Sequence, residues 1–350
     1  MAKRVAFAIP GDLETRTGGY GYDRRILFEL RHGGWHVDVV GLGDGFPLPT
    51  DEQVAAASRQ LMLTPEGRPI MIDGLAFGVL PKAAAALRAT RPVVALVHHP
   101  LACETGLTPD VAARLRESER TALAAAHRVI ATSEATAELL VDQFDVPRER
   151  LEVIPPGTDP VPQATGSDGG RLRLLSVGAI VPRKGFDILV EALSTMTDLD
   201  WHLTVAGDRG RDPATVECLD ALITRHGLEE RIASLGTVSP EHLAGLYTGA
   251  DLFVLASHFE GYGMAYAEAI AHGLPIIGTT GGAIPRTVPI TASRLVPPGD
   301  VAALAQALRD VLTNAPSRRA LAAGARAAAE ALPTWAQSGE AFARLLDGLT

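Results

Sequence analysis

A chain of 350 residues holds two domains of roughly 150 residues each, which excludes a small single module. Its formal charge of −9, from 32 Lys+Arg against 41 Asp+Glu, leaves neither half net basic, so a general nucleic-acid binder is excluded. With 47% hydrophobic and 21% charged residues the chain is globular rather than disordered, and its scarce aromatics leave alanine and glycine to fill space.

The first apolar run is followed by Pro10, Gly11, Asp12 and Glu14, too soon for a signal peptide, and residues 4–10 are expected as a strand. No run reaches the ~18 apolar residues of a spanning helix. Residues 22–32 put Ile26, Leu27 and Leu30 on one helix face and end at Gly33-Gly34, a C-cap pair. Arg24, Arg25 and Arg31 of that segment offer a small basic face for peripheral membrane contact, while Asp23 and Glu29 favour a solvated helix surface. Further strands are expected at 36–42, 93–99, 128–133 and 151–155, with helices between them. Residues 160–170 are dense in turn formers and lack apolar periodicity.

The alternation then restarts, with strands at 172–177, 202–206, 232–235, 252–256, 275–278 and 294–296. Helices are expected near 186–197, 214–226, 240–249, 262–272 and 300–313, then an alanine-rich tail broken at Pro333. The expected organisation is α/β: a Rossmann-like domain over 1–162, a linker over 163–170, a second such domain over 171–332, and a terminal helix over 333–350 packing back on the first.

Three patterns mislead. Gly41-Leu-Gly43-Asp-Gly45 is followed by Phe46-Pro47-Leu48-Pro49 where a dinucleotide fingerprint needs a helix start. Lys184 after Gly178 lacks the second glycine and the Ser or Thr of a phosphate loop. Asp198-Leu-Asp200 falls in a turn before a strand and reads as solvated rather than metal-binding. Cys103 and Cys218 are far apart and form no C-x-x-C, so neither a disulfide framework nor a cysteine zinc site is expected, and a reducing, cytoplasmic setting fits.

The chemistry concentrates in 253–277. A buried strand runs into the glycine loop Glu260-Gly261-Tyr262-Gly263-Met264, and a helix follows whose N-terminus suits a diphosphate. Glu260 is expected at a strand end, where α/β proteins place chemistry. Glu268, on the helix, reads equally as a ligand contact or as a solvated helix residue or ion-pair partner. Lysines number three, Lys3, Lys82 and Lys184, so a lysine at a turn entering this region stands out.

Glu260-x7-Glu268 is preceded by 246–255, Leu-Tyr-Thr-Gly-Ala-Asp-Leu-Phe-Val-Leu, and followed by Gly281-Gly-Ala-Ile-Pro and Leu295-Val-Pro-Pro-Gly-Asp300. Ser176-Val-Gly-Ala-Ile-Val-Pro-Arg-Lys184 and Leu235-Gly-Thr-Val-Ser lie upstream in order. This set resembles the donor half of retaining glycosyltransferases of family 4, over most of residues 150–315. Gly18-Gly19, His98 and Ile154-Pro-Pro-Gly-Thr-Asp159 fit more weakly.

The resemblance implies a GT-B fold, two Rossmann-like domains facing each other across a cleft. It implies sugar transfer with retention from a nucleotide sugar, a UDP- or GDP-sugar, to a hydroxyl acceptor bound mainly by the first domain, with no metal or other cofactor. Catalytic positions would be Glu260 beside the anomeric carbon, His98 on the donor sugar and Lys184 on the diphosphate. The backbone of Gly261, Tyr262, Gly263 and Met264 would hold sugar hydroxyls and phosphate. Glu268 would bind the ribose, Gly236 and Val238 would frame the base, and Gly19 would close from the first domain. Two departures stand out: Ala179 replaces an arginine common in the family, for which Arg183 can substitute, and Arg286 stands where a glutamate is frequent. A nucleotide-sugar epimerase or hydrolase, and a non-catalytic sensor, are the competing readings on this scaffold.

Overall fold

The computed structural model describes residues 3–167 and 169–349. The chain divides into two compact units, Met1–Gly157 with Pro333–Thr350, and Thr158–Leu332. In the first, the strands are β1 (Arg4–Ile9), β2 (His36–Gly41), β3 (Ile70–Asp73), β4 (Val93–Val97), β5 (Arg128–Ala131) and β6 (Leu151–Val153). They form one parallel sheet in the order β2-β1-β3-β4-β5-β6. β4, Val-Val-Ala-Leu-Val, is buried at every position, as a strand covered on both faces requires.

β3 was not expected. It has four residues, all buried, and pairs with β1 on one side and β4 on the other. Pro69 before it and Gly74 after it make the segment look like part of a turn. Its neighbours supply the pairing that its own length does not.

The helix Gly18–His32 follows β1 and starts at Thr17, whose side chain accepts from the Tyr20 amide. Asp23, read from sequence as solvated, is fully buried along with Tyr22, Ile26, Leu27 and Leu30. The expected basic face is also engaged within the unit. Arg24 donates to the carbonyls of Leu13 and Thr15, Arg25 lies 5.1 Å from the Trp335 ring centroid, and Arg31 donates to the Val37 carbonyl at 3.3 Å.

The terminal helix Trp335–Asp347 belongs to the first unit and packs on Gly18–His32. Tyr22 stands 5.9 Å from the Trp335 ring and 6.1 Å from Phe342, and Ser338 donates to the Pro155 carbonyl at 2.7 Å. The return of this helix depends on Gly157, where a Cβ would sit 2.1 Å from the Trp335 amide nitrogen. Gly157→Ala is therefore expected to cost about 1–3 kcal/mol, as overpacking does. Chemical denaturation checks this, and an unchanged midpoint contradicts it.

In the second unit β7 (Leu172–Val177), β8 (Trp201–Ala206), β9 (Ile232–Ser234), β10 (Leu252–Val254), β11 (Ile276–Thr279) and β12 (Ser293–Val296) make a parallel sheet in the order β12-β11-β10-β7-β8-β9. Helices Phe186–Ser194, Pro213–Arg225, Pro240–Gly249, Met264–Ala271 and Val301–Thr313 stand where periodicity expects them. Ser239 and Asp300 cap two of them by accepting from the His242 and Ala303 amides. Trp201, Tyr247, Phe253 and Tyr266 lie in the core they enclose.

The stretch expected as a linker is part of this unit. The Gln163 side chain donates to the Ala271 carbonyl at 3.1 Å, and the amides of Ala164 and Thr165 donate to His272 and Thr248 at 2.8 Å. The Ser167 amide donates to Asp251 at 3.0 Å. Residue 168 lies outside the described residues. Backbone groups that a free linker would leave to water are paired here, so the boundary falls earlier, between Gly157 and Thr158. Among the described residues no helix is long and apolar enough to cross a membrane.

Candidate functional site

The second sheet runs outward from β7 in both directions: β8 and β9 lie to one side, then the chain crosses to β10, β11 and β12. The switch point lies between β7 and β10, where loops diverge and an open α/β sheet binds ligands beyond its strand ends. Lys184 follows β7 in the short turn Pro182–Lys184, and Glu260 follows β10 in the glycine loop. The two loops are tied together by the His258 amide, which donates to the Arg183 carbonyl at 2.8 Å.

Glu260 is 6% exposed. Lys184 donates to its Oε1 at 2.6 Å, Ser257 donates to the same oxygen at 2.6 Å, and Arg183 donates to Oε2 at 3.2 Å. Arg183 also holds the Phe259 carbonyl at 2.8 Å. Arg183, expected to substitute for the arginine missing at Ala179, thus stands in the same cluster as Lys184. Burial by itself would raise the Glu260 carboxyl; the Lys184 and Arg183 charges and the Lys184 and Ser257 hydrogen bonds overcome it, holding the group down at about 2. Glu260 is consequently a permanent anion at any physiological pH.

A stability consequence follows from that depression. The folded carboxyl at about 2 lies below its ordinary 4.5, so its contribution is fully present above pH 4.5 and is lost as pH falls through about 2. Denaturation midpoints measured from pH 7 to pH 3 are expected to fall more steeply for the wild type than for Glu260→Gln. Parallel acid limbs contradict this.

The loop is braced from β11. Thr279 donates to the Ser257 carbonyl, and Glu260 and Gly282 form a bridge in which the Ala283 amide donates to the Glu260 carbonyl at 2.8 Å. Thr287 donates to the Tyr262 carbonyl at 2.6 Å. Burial pushes the Tyr262 phenol up to about 12, so it stays neutral. The helix Met264–Ala271 starts from Gly263 without a side-chain cap, which leaves its positive end to the loop.

Glu268 lies one helical turn further on. Tyr247, stacked on His272 at 5.0 Å, donates to Glu268 Oε2 at 2.8 Å. Burial raises the Glu268 carboxyl, with the Tyr247 hydrogen bond opposing. It is neither a solvated helix residue nor half of an ion pair with a cation.

Gly236 and Val238 stand apart from this cluster, beyond the end of β9 and on the far side of β8 from β7. The Gly207 amide after β8 donates to the Gly236 carbonyl at 2.9 Å. Asp198 and Asp200 hold Arg309 and Arg171 at the surface, as a solvated turn would. Arg286 is exposed in the short helix Ile284–Thr287.

Gly19 and His98 belong to the first unit, where they meet. A Cβ on Gly19 would lie 3.5 Å from His98 Cδ2. Sequence reasoning missed two residues beside them, Asp23 and Asp73, both buried against the His98 ring. The signal that could have found Asp73 was its place at the end of an apolar Ile-Met-Ile run; Asp23 gave none.

The family described as Glycosyl transferases group 1 matches residues 158–328, and the family described as Glycosyltransferase Family 4 matches residues 72–161. Mannosylfructose-phosphate synthase of Agrobacterium fabrum is 32% identical over 179 residues, 46% of this chain and 39% of that protein. D-inositol 3-phosphate glycosyltransferase of Xylanimonas cellulosilytica is 34% identical over 228 residues, 60% of this chain and 54% of that protein. The chain thus spans about half the length, or less, of these curated relatives. Among solved structures, sucrose-phosphate synthase from Thermosynechococcus elongatus superposes with a TM-score of 0.85 at 22% identity, covering 99% of both chains. HepE of Anabaena, in complex with UDP and glucose, gives 0.79 at 20% identity, covering 98% of this chain and 99% of that one.

Proposed function

We propose, from the premise that this chain has the GT-B glycosyltransferase fold, that it transfers a sugar from a nucleotide-sugar donor to a hydroxyl acceptor. The transfer retains the anomeric configuration and uses no metal. The observation that carries the reading is Glu260, a permanently ionised carboxylate at the switch point of the second sheet with Lys184 and Arg183 on its two oxygens.

The chemistry is derived from those charges. As the bond from the anomeric carbon to the diphosphate oxygen breaks, positive charge grows on the sugar and negative charge on the leaving group. A fixed anion beside the first and fixed cations beside the second stabilise the transition state more than the ground state. Lys184, Arg183 and the positive end of Met264–Ala271 supply the charge that a divalent ion supplies elsewhere. The acceptor oxygen attacks from the face the diphosphate leaves, and its proton passes to the departing phosphate oxygen. A carboxylate with a pKa of about 2 and donors on both oxygens is a poor nucleophile, which favours this front-face route over a covalent adduct on Glu260. Glu268, held by Tyr247, is the proposed ribose ligand, and Gly236 with Val238 the proposed frame of the base. The UDP and glucose in the HepE complex support a nucleotide-sugar donor.

A thermal-shift panel of UDP- and GDP-sugars tests the donor class. The cognate donor at 100 times its Kd is expected to add about 2.7 kcal/mol of stability. Stabilisation lost in Lys184→Met supports the assignment of the diphosphate to this site, and no shift with any nucleotide sugar overturns it.

A further inference from the structure

The first unit holds an ionisable cluster of its own at the corresponding place. Its sheet runs from β1 to β2 on one side and to β3 on the other, so its switch point lies between β1 and β3. Asp73 ends β3, His98 follows β4, and Asp23 lies on the helix after β1. His98 Nε2 is 3.2 Å from Asp23 Oδ1 and 3.2 Å from Asp73 Oδ2. Asp23 is fully buried and Asp73 is 3% exposed.

One N–H cannot point along two directions, and Nε2 sits between the carboxylates at charge-pair distance from both, without hydrogen-bond alignment to either. Asp73 uses its other oxygen to accept from the Leu75 amide at 2.7 Å, which fixes that carboxylate. Two carboxylates out of water require a partner charge, since each costs several kcal/mol if buried alone. The cation acting on them is the imidazole between them.

We propose that Asp23 and Asp73 hold His98 as a permanent imidazolium with Nε2 turned inward, so that the ring presents a hydrogen-bond donor and never a base. The functional use rests on the transferase reading: His98 then offers a hydrogen bond and takes up no proton, so deprotonation of the acceptor belongs elsewhere, in keeping with a proton that leaves on the departing phosphate. Asp23 and Asp73 are positioning residues that act through His98.

The surrounding groups agree with that charge. Burial lowers the His98 pKa, but the negative charges of Asp23 and Asp73 beside the ring outweigh it and raise the group to about 10. Burial raises the Asp23 carboxyl above the ordinary carboxylate range, with the His98 charge opposing and Asp73 adding. Tyr22, edge-on to His98 at 5.4 Å, donates to the Ile154 carbonyl and stays neutral because burial and the Asp23 charge push its phenol well above 10. From the end of β5, Thr132 donates to the His98 carbonyl at 3.0 Å and fixes the backbone. The positive N-terminus of Gly18–His32 opposes the imidazolium, more weakly than two carboxylates at 3.2 Å favour it. His98 is raised above its unfolded value of 6.5, so its contribution to stability is full below pH 6.5 and is lost as pH rises through about 10.

The test is nitrogen NMR of the full chain with labelled histidine, the His98 signals being identified by their loss in His98→Gln. Both ring nitrogens are expected to stay protonated from pH 6 to pH 9. In Asp23→Asn and Asp73→Asn the midpoint should move down towards 6.5, and the pH profile of kcat/KM should gain a limb that the wild type lacks. A wild-type midpoint below pH 7.5 overturns the proposal, as does one equivalent of a divalent metal whose removal by EDTA changes the His98 signals. If the aspartate variants do not fold, the wild-type titration alone decides. Failure of every nucleotide sugar to turn over would sink the transferase reading while leaving the titration result standing, so the two are separable.

Discussion

Glu260→Gln is expected to lower kcat by about 10²–10³, the loss that follows removal of one preorganised electrostatic partner of a transition state. The substitution keeps the shape and the Ser257 contact but removes the charge. Lys184 and Arg183, whose side chains are 14% and 16% exposed, then lose their anion. Removing one partner of such a buried pair costs about 3–5 kcal/mol. That is within the roughly 5–15 kcal/mol by which a domain is stable, so the variant should fold with a lower midpoint. Steady-state kinetics beside circular dichroism separates the two effects. Activity within tenfold of wild type in a folded variant would remove Glu260 from the chemistry.

Gly282→Ala, a change of one methyl outside the Glu260 loop, is expected to cost nearly as much activity. Gly282 has a φ of +62, and a Cβ there would lie 2.3 Å from the Glu260 carbonyl oxygen and 3.0 Å from its amide nitrogen. An alanine pays about 1–2 kcal/mol for the left-handed backbone, and relief of the clash must move the Glu260 backbone, which is bridged to this residue. A shift of about 1 Å in a reacting group costs about 10² in rate. We therefore expect kcat/KM to drop about 10²-fold with the fold retained. Gly245→Ala, on an open helix face with nothing within 4 Å, serves as the neutral control. Equal activity in the two variants would contradict the coupling.

The sites differ in how legible they were. Glu260, Lys184 and Glu268 could be found because their signals are local: a strand, a glycine loop and a helix in succession, with a rare lysine at a turn. Arg183 could be named only as a substitute for the missing arginine at Ala179; its reach to Glu260 Oε2 needed the structure. Asp23 and Asp73 were out of reach for two different reasons. The helix pattern assigns charged residues to solvent, yet the terminal helix and the ends of β3 and β4 cover the face that carries Asp23. β3 is four residues long and takes its stability from β1 and β4, so the acid at its end could not be placed opposite a histidine. The linker was misplaced because turn formers mark irregular chain, whether it is free or hydrogen-bonded to a domain, as 163–167 are.

The most direct test of the account is to incubate the full chain with UDP- and GDP-sugars, with and without a panel of polyol and sugar phosphates as acceptors, in EDTA. Nucleoside diphosphate release and the anomeric configuration of the product are followed by NMR. The account predicts release that depends on an acceptor and a product with the configuration of the donor. Release without an acceptor, a product of inverted configuration, or a strict requirement for divalent metal would contradict it.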